Sequence, residues 1–204
     1  MSRTKSSTCT AEQVRANAHR LRFLHARVGE TVKLRSTSPA EWEAACADFH
    51  AQFGELFFPN GEAGWSDFLS TERHGVELAL LFLEVDQYTF RSGYHKEFVW
   101  KRLKKLPLSP EAQDRLEQVG LMYLQKRVHL EFWPMVNFMR IRGSPRFWHD
   151  VEIFAKTGAE GLGRKARWML LARNNAPVRQ WISSELSRAR YEPEYVPRLD
   201  FLFD

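Results

Sequence analysis

Apolar residues recur along most of this chain at intervals of three and four, the period of one helical face. In the stretch opened by Ser109-Pro110, Ala112, Leu116, Val119 and Tyr123 gather on one side of a helical wheel, while Asp114, Glu117, Gln118 and Gln125 fall elsewhere. Helical composition also marks Ala11 to Val28, Trp65 to Val85 with a break near Gly75, Glu131 to Ile141, Glu160 to Arg173 and Pro177 to Arg190. Gly, Pro or Asn separates these stretches. The short "TVKLR", Thr31 to Arg35, is the closest approach to a period-2 run, and it reads as a connector rather than a strand.

Helix start signals repeat. Ser38-Pro39 has Glu41 placed to close a capping box, and the same Ser-Pro device returns at Ser109-Pro110 and Ser144-Pro145. The pattern predicts an all-α protein of about eight or nine amphipathic helices. Short connections make neighbours antiparallel, in a compact bundle or a short stack of helix pairs. One helical domain, residues 11–190, is expected between a polar leader (1–10) and an acidic, aromatic tail (191–204) whose terminal "LDFLF" is apolar enough to dock.

The stretch "GLGRKARWMLLARNNAPVRQWI", Gly161 to Ile182, resembles the second-helix pattern of HEAT-like repeats. The resemblance extends at most over residues 86–190, and it implies a binding scaffold without naming a ligand.

Composition places the chain among ordinary globular proteins, with 44% hydrophobic and 27% charged residues. Charge changes the picture more. Residues 1–85 carry 9 Lys+Arg against 11 Asp+Glu, residues 86–190 carry 20 against 10, and the tail carries 1 against 4. A basic middle favours an acidic partner, either a protein surface or nucleic acid. Cys9 in the leader and Cys46 within a helix form no disulfide framework, and no run approaches the roughly 20 apolar residues of a membrane span. A cytoplasmic protein is therefore expected.

The densest feature is "DQYTFRSGYHKEFVWKRLKKL", Asp86 to Leu106. On a helix from Tyr94, the residues Val99, Trp100, Leu103 and Leu106 gather on one side and Glu97, Lys101, Arg102, Lys104 and Lys105 on the other. Two residues break the pattern: Lys96 falls among the apolar positions and Phe98 among the basic ones. Phe98 shares a stripe with Tyr94, Lys101 and Lys105, which is either an aromatic and cationic binding strip or a face covered by a neighbouring helix. In "FRSG", Ser92 is placed to cap the helix, Gly93 to permit a tight turn, and Arg91 to pair with Asp86 or Glu84.

Catalytic signatures are missing. Seven histidines show no metal-ligand spacing, and His19 and His25 lie on opposite sides of a helix. There is no nucleophile elbow, and "GAEGLG", Gly158 to Gly163, lacks the lysine of a phosphate loop. No metal or cofactor is expected. "FWHDVEIFAK", Phe147 to Lys156, resembles in Trp148, Asp150 and Glu152 the aromatic and acidic surroundings found in helical-repeat alkylpurine DNA glycosylases, and that resemblance implies Asp150 as the catalytic residue. Seven tryptophans spread over most of the helices read first as core.

The reading that follows is a non-enzymatic protein-binding module, most concretely an inhibitor of the immunity or antitoxin type. Its candidate contact residues are Arg91, Tyr94, Phe98, Lys101, Arg102, Lys104, Lys105, Arg164, Lys165 and Arg167. The alternative is a nucleic-acid-binding helical-repeat protein with base-excision chemistry at Asp150.

Overall fold

A computed structural model of the chain describes residues 9–70 and 73–174. The expected helix at 177–190, the docked tail, Trp181 and residues 1–8 of the leader lie outside the described residues. Within them the chain is all-α, with nine α-helices and no strand.

Helix α1 (Ala11–Thr31) opens with a capping box: Gln13 N–H donates to Thr10 Oγ1 while Thr10 N–H donates to Gln13 Oε1. Cys9, just ahead of it, is buried. A 3-10 turn at Val32–Leu34 makes the connector and leads to α2 (Pro39–Leu56). Here the expected box does not form, because Ser38 Oγ pairs with the Glu41 carboxylate at 3.0 Å instead of accepting a backbone N–H. The other two serines do cap. Ala112 N–H donates to Ser109 Oγ and Phe147 N–H to Ser144 Oγ.

The long helix expected from Trp65 is two helices, α3 (Gly61–Leu69) and α4 (Arg73–Val85). Gly75 lies inside α4 rather than at the break. A Cβ there would come within 2.3 Å of the Asp67 and Phe68 backbone, so Gly75 is where α4 crosses closely over α3. The order continues with α5 (Ser92–Leu103), α6 (Pro110–Leu124), α7 (Phe132–Arg142), α8 (Pro145–Thr157) and α9 (Glu160–Asn174).

These elements form two compact units. The first takes the described residues to Val119 together with His129–Glu131, with α1 packed on α2, α3 on α4, and α4 against both α1 and α5. Leu21, Leu24 and Phe49 anchor its core. Phe49 and Phe53 on α2 and Phe57 at its C-cap, each one turn apart, lie with ring centroids 5.5 and 5.4 Å apart. The second unit takes Gly120–Val128 and the residues from Phe132, with α9 packed on both α7 and α8. Helix α7 is buried nearly all round, from Phe132 to Val136 and at Phe138 and Met139, which is why its sequence shows little amphipathic contrast.

Trp100, Trp133, Trp148 and Trp168 are core residues, whereas Trp42 and Trp65 are half-buried. The apolar face read from α6 (Ala112, Leu116, Val119, Tyr123) is buried at all four positions. No helix of the described residues is long and apolar enough to cross a membrane.

Candidate functional site

Helix α4 ends at Val85, and the chain reaches α5 through Asp86–Arg91, a loop without glycine that enters the left-handed region twice, at Asp86 (φ 49°) and Arg91 (φ 60°). Non-glycine residues there cost of order 1 kcal/mol or more each, so the surroundings must hold them. Gly93 is not the turn residue, contrary to the sequence reading. Ser92 holds the loop from within: its buried Oγ donates to Thr89 C=O at 3.0 Å and accepts from Thr89 N–H at 2.9 Å.

Below the loop lies a buried polar cluster. Lys96 is 0% exposed, and its ammonium donates to Asp86 Oδ1 at 2.6 Å while sitting 3.7 Å from the Tyr88 ring centroid. Tyr88 donates its hydroxyl to Glu131 Oε1, and its ring meets the exposed His129 ring at 4.2 Å, tilted by 36°. Burial first, then the Glu131 carboxylate, drive the Tyr88 hydroxyl well above the ordinary phenol range, so it stays protonated. Glu131 Oε2 is buried without a hydrogen-bond partner among the described residues. The lysine that broke the apolar pattern is thus the centre of a cluster tying together the loop, α5 and Glu131.

This arrangement corrects the expected role of Arg91. Asp86 is engaged by Lys96, and Glu84 accepts from Nε and Nη2 of Arg115, at 2.6 and 2.8 Å. Arg91, turned outward by its left-handed backbone, is exposed over the Phe90 ring. Arg91 also helps keep the nearby His95 neutral. Burial, and then the Arg91 charge, lower His95 below the usual imidazole range.

Helix α5 is sealed on one side by Lys96, Val99, Trp100 and Leu103. On the other, Tyr94 is 61% and Phe98 41% exposed, one turn apart, with the half-buried Trp65 ring 5.4 Å from Phe98. Of the two readings of Phe98, the exposed strip is therefore the one the fold adopts. Lys101 is exposed and paired with Glu97 at 2.5 Å, Lys105 is exposed, and Lys104 is half-buried. Arg102 is committed elsewhere: its guanidinium donates to the Phe68 and Leu69 carbonyls, satisfying the end of α3.

The remaining candidates belong to the second unit. Lys165 donates to Lys126 C=O, Arg167 to Ala155 C=O at 3.2 Å, and Arg164 lies over the buried Trp168. Burial and the neighbouring Arg164 lower Lys165 below the ordinary ammonium range. The glycosylase-like trio does not converge on a cleft. Trp148 is buried beneath the Arg173 guanidinium, Glu152 meets the same arginine at 3.9 Å, and Asp150 is half-buried on another side of α8. Trp148 and Glu152 thereby clamp α8 to α9. Among the described residues no group of three or more His, Cys, Asp or Glu is placed to hold a metal ion.

No family model, curated protein or solved structure matches this chain.

Proposed function

We propose that this chain is a non-enzymatic protein-binding module that captures a partner through the outward face of α5. An inhibitor of the immunity or antitoxin type, acting in a reducing cytoplasmic compartment, is its most concrete form. The observation that carries the reading is the exposure of Tyr94 and Phe98 one turn apart on a helix whose opposite side is sealed. Two large aromatics in water, beside Arg91, Lys101 and Lys105, form a surface whose remaining apolar area gains about 25 cal/mol per Å² on being covered. Tyrosine and arginine are also the residue types that anchor interfaces. The basic field of residues 86–190 fits rapid capture of an acidic partner. Two free thiols, on Cys9 and Cys46, fit a reducing compartment, and the HEAT-like pattern of the later helices fits a scaffold.

The test is a pull-down from native lysate, with and without nuclease, comparing the wild-type chain with Tyr94→Ala/Phe98→Ala. A single stoichiometric protein that survives nuclease and is lost with the double variant is the expected result. Retention of that protein by the variant would refute the reading. Recovery of nucleic acid alone, lost on nuclease treatment, would favour the nucleic-acid alternative and bring Asp150 forward.

A further inference from the structure

The exposed strip on α5 is longer than its two aromatics. Leu130, 51% exposed, lies against the start of the helix, its Cδ1 3.7 Å from where a Gly93 Cβ would sit. At the other end the Arg102 guanidinium holds the Leu69 carbonyl, which brings the 40% exposed Leu69 beside the last turn of the helix. The apolar order along α5 is therefore Leu130, Tyr94, Phe98, Leu69, beside Gly93 through Arg102. The nine rises of 1.5 Å from Gly93 to Arg102 give this ridge a length of about 14 Å.

Charge frames the ridge. Arg91 stands exposed at its start and Lys105 beyond its end. Between them the one acid of α5, Glu97, is 22% exposed and already paired with Lys101. The framing cations have no exposed carboxylate of α5 left to meet.

Resting on the reading of this chain as a protein-binding module, we propose that the occupant of the ridge is an acidic amphipathic α-helix of the partner. It would present two apolar side chains one turn apart to Tyr94 and Phe98, with carboxylates toward Arg91 and Lys105. An apolar ridge of this length, with side chains at i and i+4, matches the face of a second helix, whose own i and i+4 side chains lie about 6 Å apart. The aliphatic ends favour protein over nucleic acid, because Leu69 and Leu130 give a base no plane to stack on. Arg102, one of the four cations of the basic run, is spent on carbonyls and offers little to a phosphate backbone.

The probe is a phage-displayed library of random peptides of about 16 residues, roughly 24 Å when helical, selected on the full chain. Enriched clones are then measured on Tyr94→Ser/Phe98→Ser, Leu69→Ser/Leu130→Ser and Arg91→Glu/Lys105→Glu, each first matched to wild type in far-ultraviolet circular dichroism and melting temperature. Clones with an i, i+4 apolar pair flanked by acids, weakened about tenfold or more by each variant, are expected. Clones lost on Tyr94→Ser/Phe98→Ser but indifferent to the other two variants would overturn this inference and leave the protein-binding reading standing. Failure to enrich any clone would overturn the helical occupant while the pull-down still decides the broader reading. A labelled single-stranded RNA of about 20 nucleotides that binds wild type and is lost on Tyr94→Ser/Phe98→Ser would overturn both.

Discussion

Replacing Lys96 with methionine keeps the length and most of the volume of the side chain and removes only the charge. The Asp86 carboxylate, 1% exposed, then loses the cation 2.6 Å away. Removing one partner of a buried ion pair costs about 3–5 kcal/mol, because the surviving charge stays out of water. The ammonium over the Tyr88 ring contributes about 2 kcal/mol more at a desolvated site. Relaxation of the left-handed Asp86 backbone offsets part of that, by about 1 kcal/mol. A loss of about 4–6 kcal/mol is expected in urea unfolding followed by tryptophan fluorescence, with the slope unchanged. Asp86→Asn tolerates the left-handed backbone but takes the carboxylate away from the buried Lys96 charge, so it should cost a similar amount. The double variant should cost no more than either single one, because neither charge is then left unpaired. Additive losses, or a Lys96→Met cost under about 1 kcal/mol, would refute the view that this pair is a buried, mutually dependent unit.

The same cluster predicts an alkaline limit. Because the folded chain holds the Tyr88 proton more tightly than the unfolded chain, whose phenol titrates near 10.0, that stabilisation is complete below pH 10 and lost as pH rises above it. Spectrophotometric titration should leave the Tyr88 phenol un-ionised until unfolding, and Tyr88→Phe should remove that signature at a cost of about 1–3 kcal/mol for stranding Glu131. His95 works in the opposite direction. Its lowered value gives stability that is present above 6.5 and lost as pH falls below it, and Arg91→Ala should move its NMR titration upward; no movement would show that the Arg91 charge does not reach it. Gly75→Ala should cost about 3 kcal/mol or more in thermal or urea unfolding, because its Cβ meets the α3 backbone rather than a movable side chain.

Much of this fold was legible because helices announce themselves locally. The i, i+3, i+4 spacing of Ala112, Leu116, Val119 and Tyr123 marked the buried face of α6, and Ser109 and Ser144 marked starts that the folded chain caps with those hydroxyls. The candidate site was half legible. Tyr94, Phe98 and Lys101 could be placed on one stripe from spacing alone, and Lys96 stood out as a charge among apolar neighbours. Its partners could not be read, because Asp86 is ten residues away and Glu131 reaches Tyr88 across 43 positions.

By itself, then, the sequence determined the helical class, most helix starts and the basic middle, since these follow from backbone periodicity, local capping and charge count. Tertiary structure alone decided that Phe98 faces water, that Arg102, Lys165 and Arg167 turn to carbonyls, and that Leu69 and Leu130 extend the strip. It also decided that α3 and α4 are separate, with Gly75 at their crossing. The physical reason is that exposure and pairing depend on which segments pack over a residue, and those segments are far away in the chain.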